Sequence, residues 1–121
     1  MTIASPITIT INAVTYDCVK INQDGYGSHY RFADSTRRLD LKIRHSTNKP
    51  VNGVFNDRHN VELTHVVFSG DPDVADTETK ASVVITNGAT DLGTSAPYLT
   101  VALADFLKVS GNVGALVNWV N

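Results

Sequence analysis

Charged and apolar residues alternate almost strictly along RRLDLKIRHS, residues 37–46: Arg38, Asp40, Lys42 and Arg44 fall on one side and Leu39, Leu41 and Ile43 on the other. A period of two is the signature of a half-buried strand. The same period runs through much of the chain. PITITIN alternates isoleucine with threonine, and VTYDCVKI follows at once, so residues 6–21 are expected to form a hairpin turning near Asn12-Ala13. NQDGYGS, with Asp24-Gly25 and Gly27, marks a turn. HYRFAD gives a short strand with Tyr30 and Phe32 opposite His29 and Arg31. TNKPVNG, with Pro50 and Asn52-Gly53, is expected to break the pattern. RHNVELTHVVFS and TKASVVITN read as the last strands, separated by the acidic loop GDPDVADT. Strands are thus expected over about 28–87 after the hairpin.

Beyond residue 90 the period changes. In SAPYLTVALADFLKVS the apolar positions Leu99, Leu103, Phe106 and Leu107 recur at helical spacing. Ser95 suits an N-cap, Pro97 a first turn, and Gly111 a stop. NVGALVNWVN continues with Val113, Leu116, Val117 and Val120, and Trp119 beside them. Two helices are expected within about 96–120. The predicted class is α+β, in one domain of 121 residues.

This order poses a packing problem. A sheet of four or more strands has an apolar face that another layer must cover. Two helices of a few turns are a thin cover for strands rising ~3.3 Å per residue. Helices from a second copy would complete it; the alternative is a monomer whose helices pack on their own sheet.

If Leu39, Leu41 and Ile43 face the core, the opposite face carries His29 and Arg31, then Arg38, Asp40, Lys42 and Arg44. Arg58, Asn60, Glu62 and Thr64, and Lys80 and Ser82, follow on the later strands. Such a surface can hydrogen-bond phosphates and base edges, or simply be solvated. Net charge changes the picture here. The chain is −2 overall, so any nucleic-acid contact must come from a local basic face.

Other chemistry finds little support. Cys18 is the one cysteine, which excludes an intrachain disulfide and fits a reducing compartment. The N-terminal MTIASPITIT has neither a basic start nor a long apolar run, so no signal peptide, no membrane span and a cytosolic setting are expected. His29, His45, His59 and His65 match no metal-ligand spacing, and His59 and His65 share strand parity with Val61 and Leu63, as packed histidines would. DPDVAD lacks the glycine and terminal glutamate of a calcium-binding EF-hand loop and reads as a mobile acidic loop. No nucleophile elbow, Walker or dinucleotide fingerprint is present, so no enzyme, cofactor or metal is expected.

In length and element order, from PITITINAVTYDCVKIN through DLKIRHS and RHNVEL to the two C-terminal helices, the chain resembles the coat proteins of single-stranded RNA bacteriophages. The resemblance implies an intertwined homodimer in which each subunit's helices pack on the partner's sheet. Leu99, Leu103, Phe106, Leu107, Val113, Leu116, Val117 and Trp119 would lie in that interface. It implies an icosahedral shell assembled in the bacterial cytoplasm, with the sheet facing inward onto single-stranded RNA. Contacts between dimers would fall on the loop Ser69–Thr77, at Asp71, Pro72, Asp73 and Asp76. Implied RNA contacts are Arg31, Arg38, Asp40, Lys42, Arg44, Arg58, Asn60, Glu62, Thr64, Lys80 and Ser82. Asp40 and Glu62 depart from the small hydroxyl residues and lysine common in members that bind an RNA hairpin and repress replicase translation. Carboxylates repel phosphate unless paired, through Arg38–Asp40–Lys42 or a cross-strand partner of Glu62. The alternative function is a non-viral, β-rich carbohydrate- or peptide-binding module.

Overall fold

The computed structural model describes residue 3 and residues 5–51, 54–88 and 95–119; side chains at 48–51, 54, 95 and 96 lie outside that description. Six strands follow one another: β1 (Ile7–Ile11), β2 (Val14–Asp24), β3 (Gly27–Ala33), β4 (Arg37–Val51), β5 (Val54–Val67) and β6 (Thr77–Gly88). Two helices close the chain, α1 (Ser95–Lys108) and α2 (Asn112–Val117). The strands form an antiparallel meander in the order β1-β2-β3-β4-β5-β6, each paired with its neighbour in sequence.

Local chemistry explains the turns. Asn12 and Ala13 both take positive φ, 49° and 66°, as a two-residue hairpin loop requires to match strand twist. Between β3 and β4, Asp34 Oδ1 accepts bonds from Thr36 N (2.7 Å), Thr36 Oγ1 (2.8 Å) and Arg37 N (2.9 Å). Those bonds hold the Asp34 carboxyl below its ordinary pKa. Gly27 starts β3 because a Cβ there would collide with the Ile43 carbonyl oxygen.

TNKPVNG does not end the strands where expected. β4 runs on to Val51 and β5 begins at Val54, with a register shift between Asn48 and Val51. Pro50, which has no N–H to donate, falls inside that irregularity. The acidic loop is held by its own hydrogen bonds. Asp76 Oδ1 accepts from Ser69 N (3.0 Å), Asp71 Oδ1 accepts from Asp73 N (2.9 Å), and Ser69 Oγ donates toward the Val74 carbonyl (2.7 Å).

The core sits on one face of the sheet near its N-terminal half. Cys18, Tyr30, Leu39, Leu41 and Ile43 are buried, with Ile7, Ile9, Ile11, Tyr16, Phe32, Val61 and Leu63 packed on them. Burial, aided by the charges of Asp17 and Asp40, pushes the Cys18 thiol pKa up. His59 and His65 lie on this apolar face, as their parity predicted, and both are half-buried.

The helices do not cover this core. α1 packs on β6 and α2, leaving an apolar groove of about 520 Å³ between Val83–Thr86 and Leu99–Leu103. Leu99, Leu103, Phe106, Val113, Leu116, Val117 and Trp119 are all exposed, Trp119 almost completely, and Leu107 is half-covered. Of its own sheet, α1 meets β6, away from the buried cluster.

Candidate nucleic-acid interface

The registers of β3 to β6 turn the alternating charges into rows that cross the opposite face. Arg31, Asp40, Thr64 and Lys80 form one row; His29, Lys42, Glu62 and Ser82 form the next. On one side lie Ala33, Arg38, Val66 and Glu78, and on the other Arg44, Asn60 and Val84, followed by Ser46, Arg58 and Thr86. Every sequence-predicted contact residue thus falls on one face. Across β3–β6 it gathers six cationic side chains and the carboxylates of Asp40, Glu62 and Glu78, and β2 adds Asp17 and Asp24 on the same face, on a chain whose net charge is −2.

The rows are not uniformly open. Asp40 and Thr64 are buried, whereas Arg31, Arg44, Arg58, Lys80 and Ser82 are exposed and Arg38 and Lys42 half-exposed. Asp40 is the hub. Its Oδ1 accepts from Arg31 Nε at 2.7 Å and from His29 Nε2 at 2.7 Å, and its Oδ2 accepts from Arg38 Nε at 2.9 Å. Burial alone would raise the carboxyl's pKa, but the hydrogen bonds from Arg31 and His29, with their charges, carry it below the ordinary value. Asp40 is therefore an ionised, acceptor-only group, and His29 binds it through a protonated Nε2.

The expected Arg38–Asp40–Lys42 grouping is half realised. Arg38 binds Asp40, but the other cation is Arg31 on β3, not Lys42. Glu62 stands opposite Lys42 without forming an ion pair and instead accepts from Thr64 Oγ1 at 3.3 Å. Lys80 pairs with Glu78 at 3.3 Å on the exposed edge. Asn60 Oδ1 is buried with no hydrogen-bond partner among the described residues. Sequence reasoning placed His29 on this face but did not include it in the site; only the β3–β4 register sets it beside Asp40.

Asp71, Pro72, Asp73 and Asp76 are all exposed at the loop between β5 and β6. Among the described residues, no group of three or more His, Cys, Asp or Glu side chains is placed to hold a metal ion. No helix among them is long and apolar enough to cross a membrane.

Comparison with known proteins gives this geometry a context. A family model described as "Phage phiCb5, coat protein" matches residues 4–88, the whole sheet. The chain belongs to the phage phiCb5 coat protein family. The coat-protein resemblance read from the sequence is thus borne out, and a capsid is where this protein resides. Among solved structures, the "Virus-like particle of bacteriophage AVE019" matches with a TM-score of 0.54 and 17% identity over 98% of this chain and 97% of that one. At that identity the likeness is one of fold, and it extends past the family match to the C-terminal helices of the coat protein. A search of curated proteins gave no match.

Proposed function

We propose that the coat protein forms an obligate homodimer in which each subunit's helices cover the partner's sheet, and that these dimers close an icosahedral shell around single-stranded RNA. The observation that carries this reading is surface area. The chain exposes 9120 Å². A compact 13.1 kDa monomer exposes about 6,400 Å². Much of the excess is apolar side chain on α1 and α2, which water would leave uncovered at a large hydrophobic cost. Obligate dimer interfaces bury ~2,000–5,000 Å² in total, the scale needed to absorb that excess from two copies.

In this reading Leu99, Leu103, Phe106, Leu107, Val113, Leu116, Val117 and Trp119 make the dimer interface, and the exposed loop at Asp71, Pro72, Asp73 and Asp76 meets neighbouring dimers. The charged face looks into the lumen. Arg31, Arg38, Lys42, Arg44, Arg58 and Lys80 neutralise RNA phosphates, and Asn60, Glu62, Thr64 and Ser82 complete the surface. Release of counterions from RNA favours packaging and shell closure. Repression of replicase translation would use the same face on an RNA hairpin. Assembly belongs to the bacterial cytoplasm, with no cofactor and no catalytic step.

Expression alone in bacteria tests the reading. Shells of virus size carrying RNA are expected, and the double reversal Lys42→Glu, Arg44→Glu is expected to leave dimers intact while lowering RNA content. A soluble monomer across salt and concentration would overturn the dimer. Unchanged RNA content in the double variant would overturn the RNA face.

A further inference from the structure

The feature that the coat reading does not explain is Asp40, a carboxylate in the middle of a surface proposed to meet phosphate. We propose that Asp40 is a positioning residue: it grips Arg31 and Arg38 by their Nε atoms and so presents their Nη edges as a paired receptor for RNA phosphate. The proposal rests on the reading that this face binds RNA, and concerns how it does so.

Three observations point the same way. First, the Asp40 side chain is only 6% exposed, so an incoming phosphate meets its partners rather than its charge. Second, both arginines engage it through Nε, at 2.7 Å and 2.9 Å, and on different oxygens. A guanidinium carries five N–H donors in a rigid fork. Spending only the Nε–H on Asp40 leaves both Nη groups of each arginine, and among the described residues nothing else bonds them. Third, both arginine side chains remain 41% exposed, so the forks are anchored at the root and open to solvent at the tip.

The carboxylate also keeps two like charges together. Two guanidiniums on neighbouring strands repel each other, and Asp40 between them leaves the trio net positive. Holding the side chains in advance removes part of the ordering cost that flexible arginines meet on binding. His29, on the same Oδ1 as Arg31, closes the third side of the carboxylate and denies it to other donors.

The proposal has an unusual sign. By charge alone, Asp40→Asn removes an acid from the RNA face and should tighten binding while steepening the salt dependence by roughly one counterion. A positioning role predicts the reverse: weaker binding, by about fivefold or more, because charge-assisted, geometry-dependent bonds are lost. Binding of a fluorescein-labelled, mixed-sequence single-stranded RNA, measured across a salt series, reads this directly. Arg31→Lys and Arg38→Lys keep the charge and lose the fork. They are expected to weaken binding similarly with an unchanged salt slope. Equal or tighter binding by Asp40→Asn overturns the proposal. Should Asp40→Asn fail to fold, wild-type affinity in both lysine variants overturns it instead. The Lys42→Glu, Arg44→Glu variant separates the two levels. If it binds normally, the RNA reading fails. If it binds poorly while Asp40→Asn binds tightly, only the positioning role fails.

Discussion

His45 and His59 face each other across β4 and β5 with their Nδ1 atoms 2.8 Å apart. His59 Nε2 donates to Asn87 Oδ1 on β6 at 3.0 Å, which leaves its Nδ1 to accept from His45 in the neutral ring. Asn87 Nδ2 in turn donates to the Gly88 carbonyl at 3.2 Å. One chain of hydrogen bonds therefore ties three strands just beyond the Ile43–Val61 end of the buried cluster. His59→Ala cuts it in the middle. It is expected to destabilise the protein by about 1–3 kcal/mol, read as a lower denaturant midpoint with an unchanged slope at fixed protein concentration.

Gly27→Ala places a methyl group against the Ile43 carbonyl oxygen, which belongs to the backbone and cannot swing aside. A cost of about 1–3 kcal/mol is expected, with β3 and β4 pushed apart at Gly27–Arg44. Amide hydrogen exchange should rise there first. Gly25→Ala, where nothing lies near the added methyl, serves as the control.

Acid should act through Asp40. A carboxyl held below its ordinary value contributes stability that is fully present above the unfolded pKa of about 3.9 and is lost as pH falls through the lower folded value. Stability of the native chain should therefore drop faster below about pH 4 than that of Asp40→Asn, each referred to its own value at pH 6. Asp34 has the same sign but is retained in both proteins, so the difference isolates Asp40.

Cys18 is fully buried and its thiol pKa is raised, which keeps it neutral and enclosed. It should resist a thiol-directed disulfide reagent in the native protein and react at once after unfolding. Rapid native labelling would show that the hairpin lifts off the sheet.

Phe106→Asp should leave the sheet intact, since Phe106 is half exposed and no part of the buried cluster. In the proposed dimer it puts a charge into the helix–sheet interface. Loss of particles by light scattering, with strand signal retained by circular dichroism, is the expected outcome.

The period-two pattern made the six strands, the turn at Asn12-Ala13 and the polar face legible, because one buried face dictates register. The two helices were legible from Leu99, Leu103 and Phe106. What could not be read was the partner of Asp40. Arg38 is two residues away on the same strand, but Arg31 and His29 reach it only through the β3–β4 register, and that register depends on the length of the intervening turn. Val66 shows another limit. It lies on the polar face yet is buried, between Arg38 and Glu78, so parity named its face but not its burial. The continuation of β4 through Pro50 was hidden because a register irregularity absorbs the missing donor.

The meander has a consequence for the order of synthesis. Each strand bonds only to strands adjacent in sequence, so every new pairing closes a short loop at small entropic cost. During translation the sheet can therefore zip strand by strand as the chain emerges, and it has all its pairings once Gly88 is out. The apolar helices α1 and α2 follow the last strand, so they emerge after every strand pairing can be made.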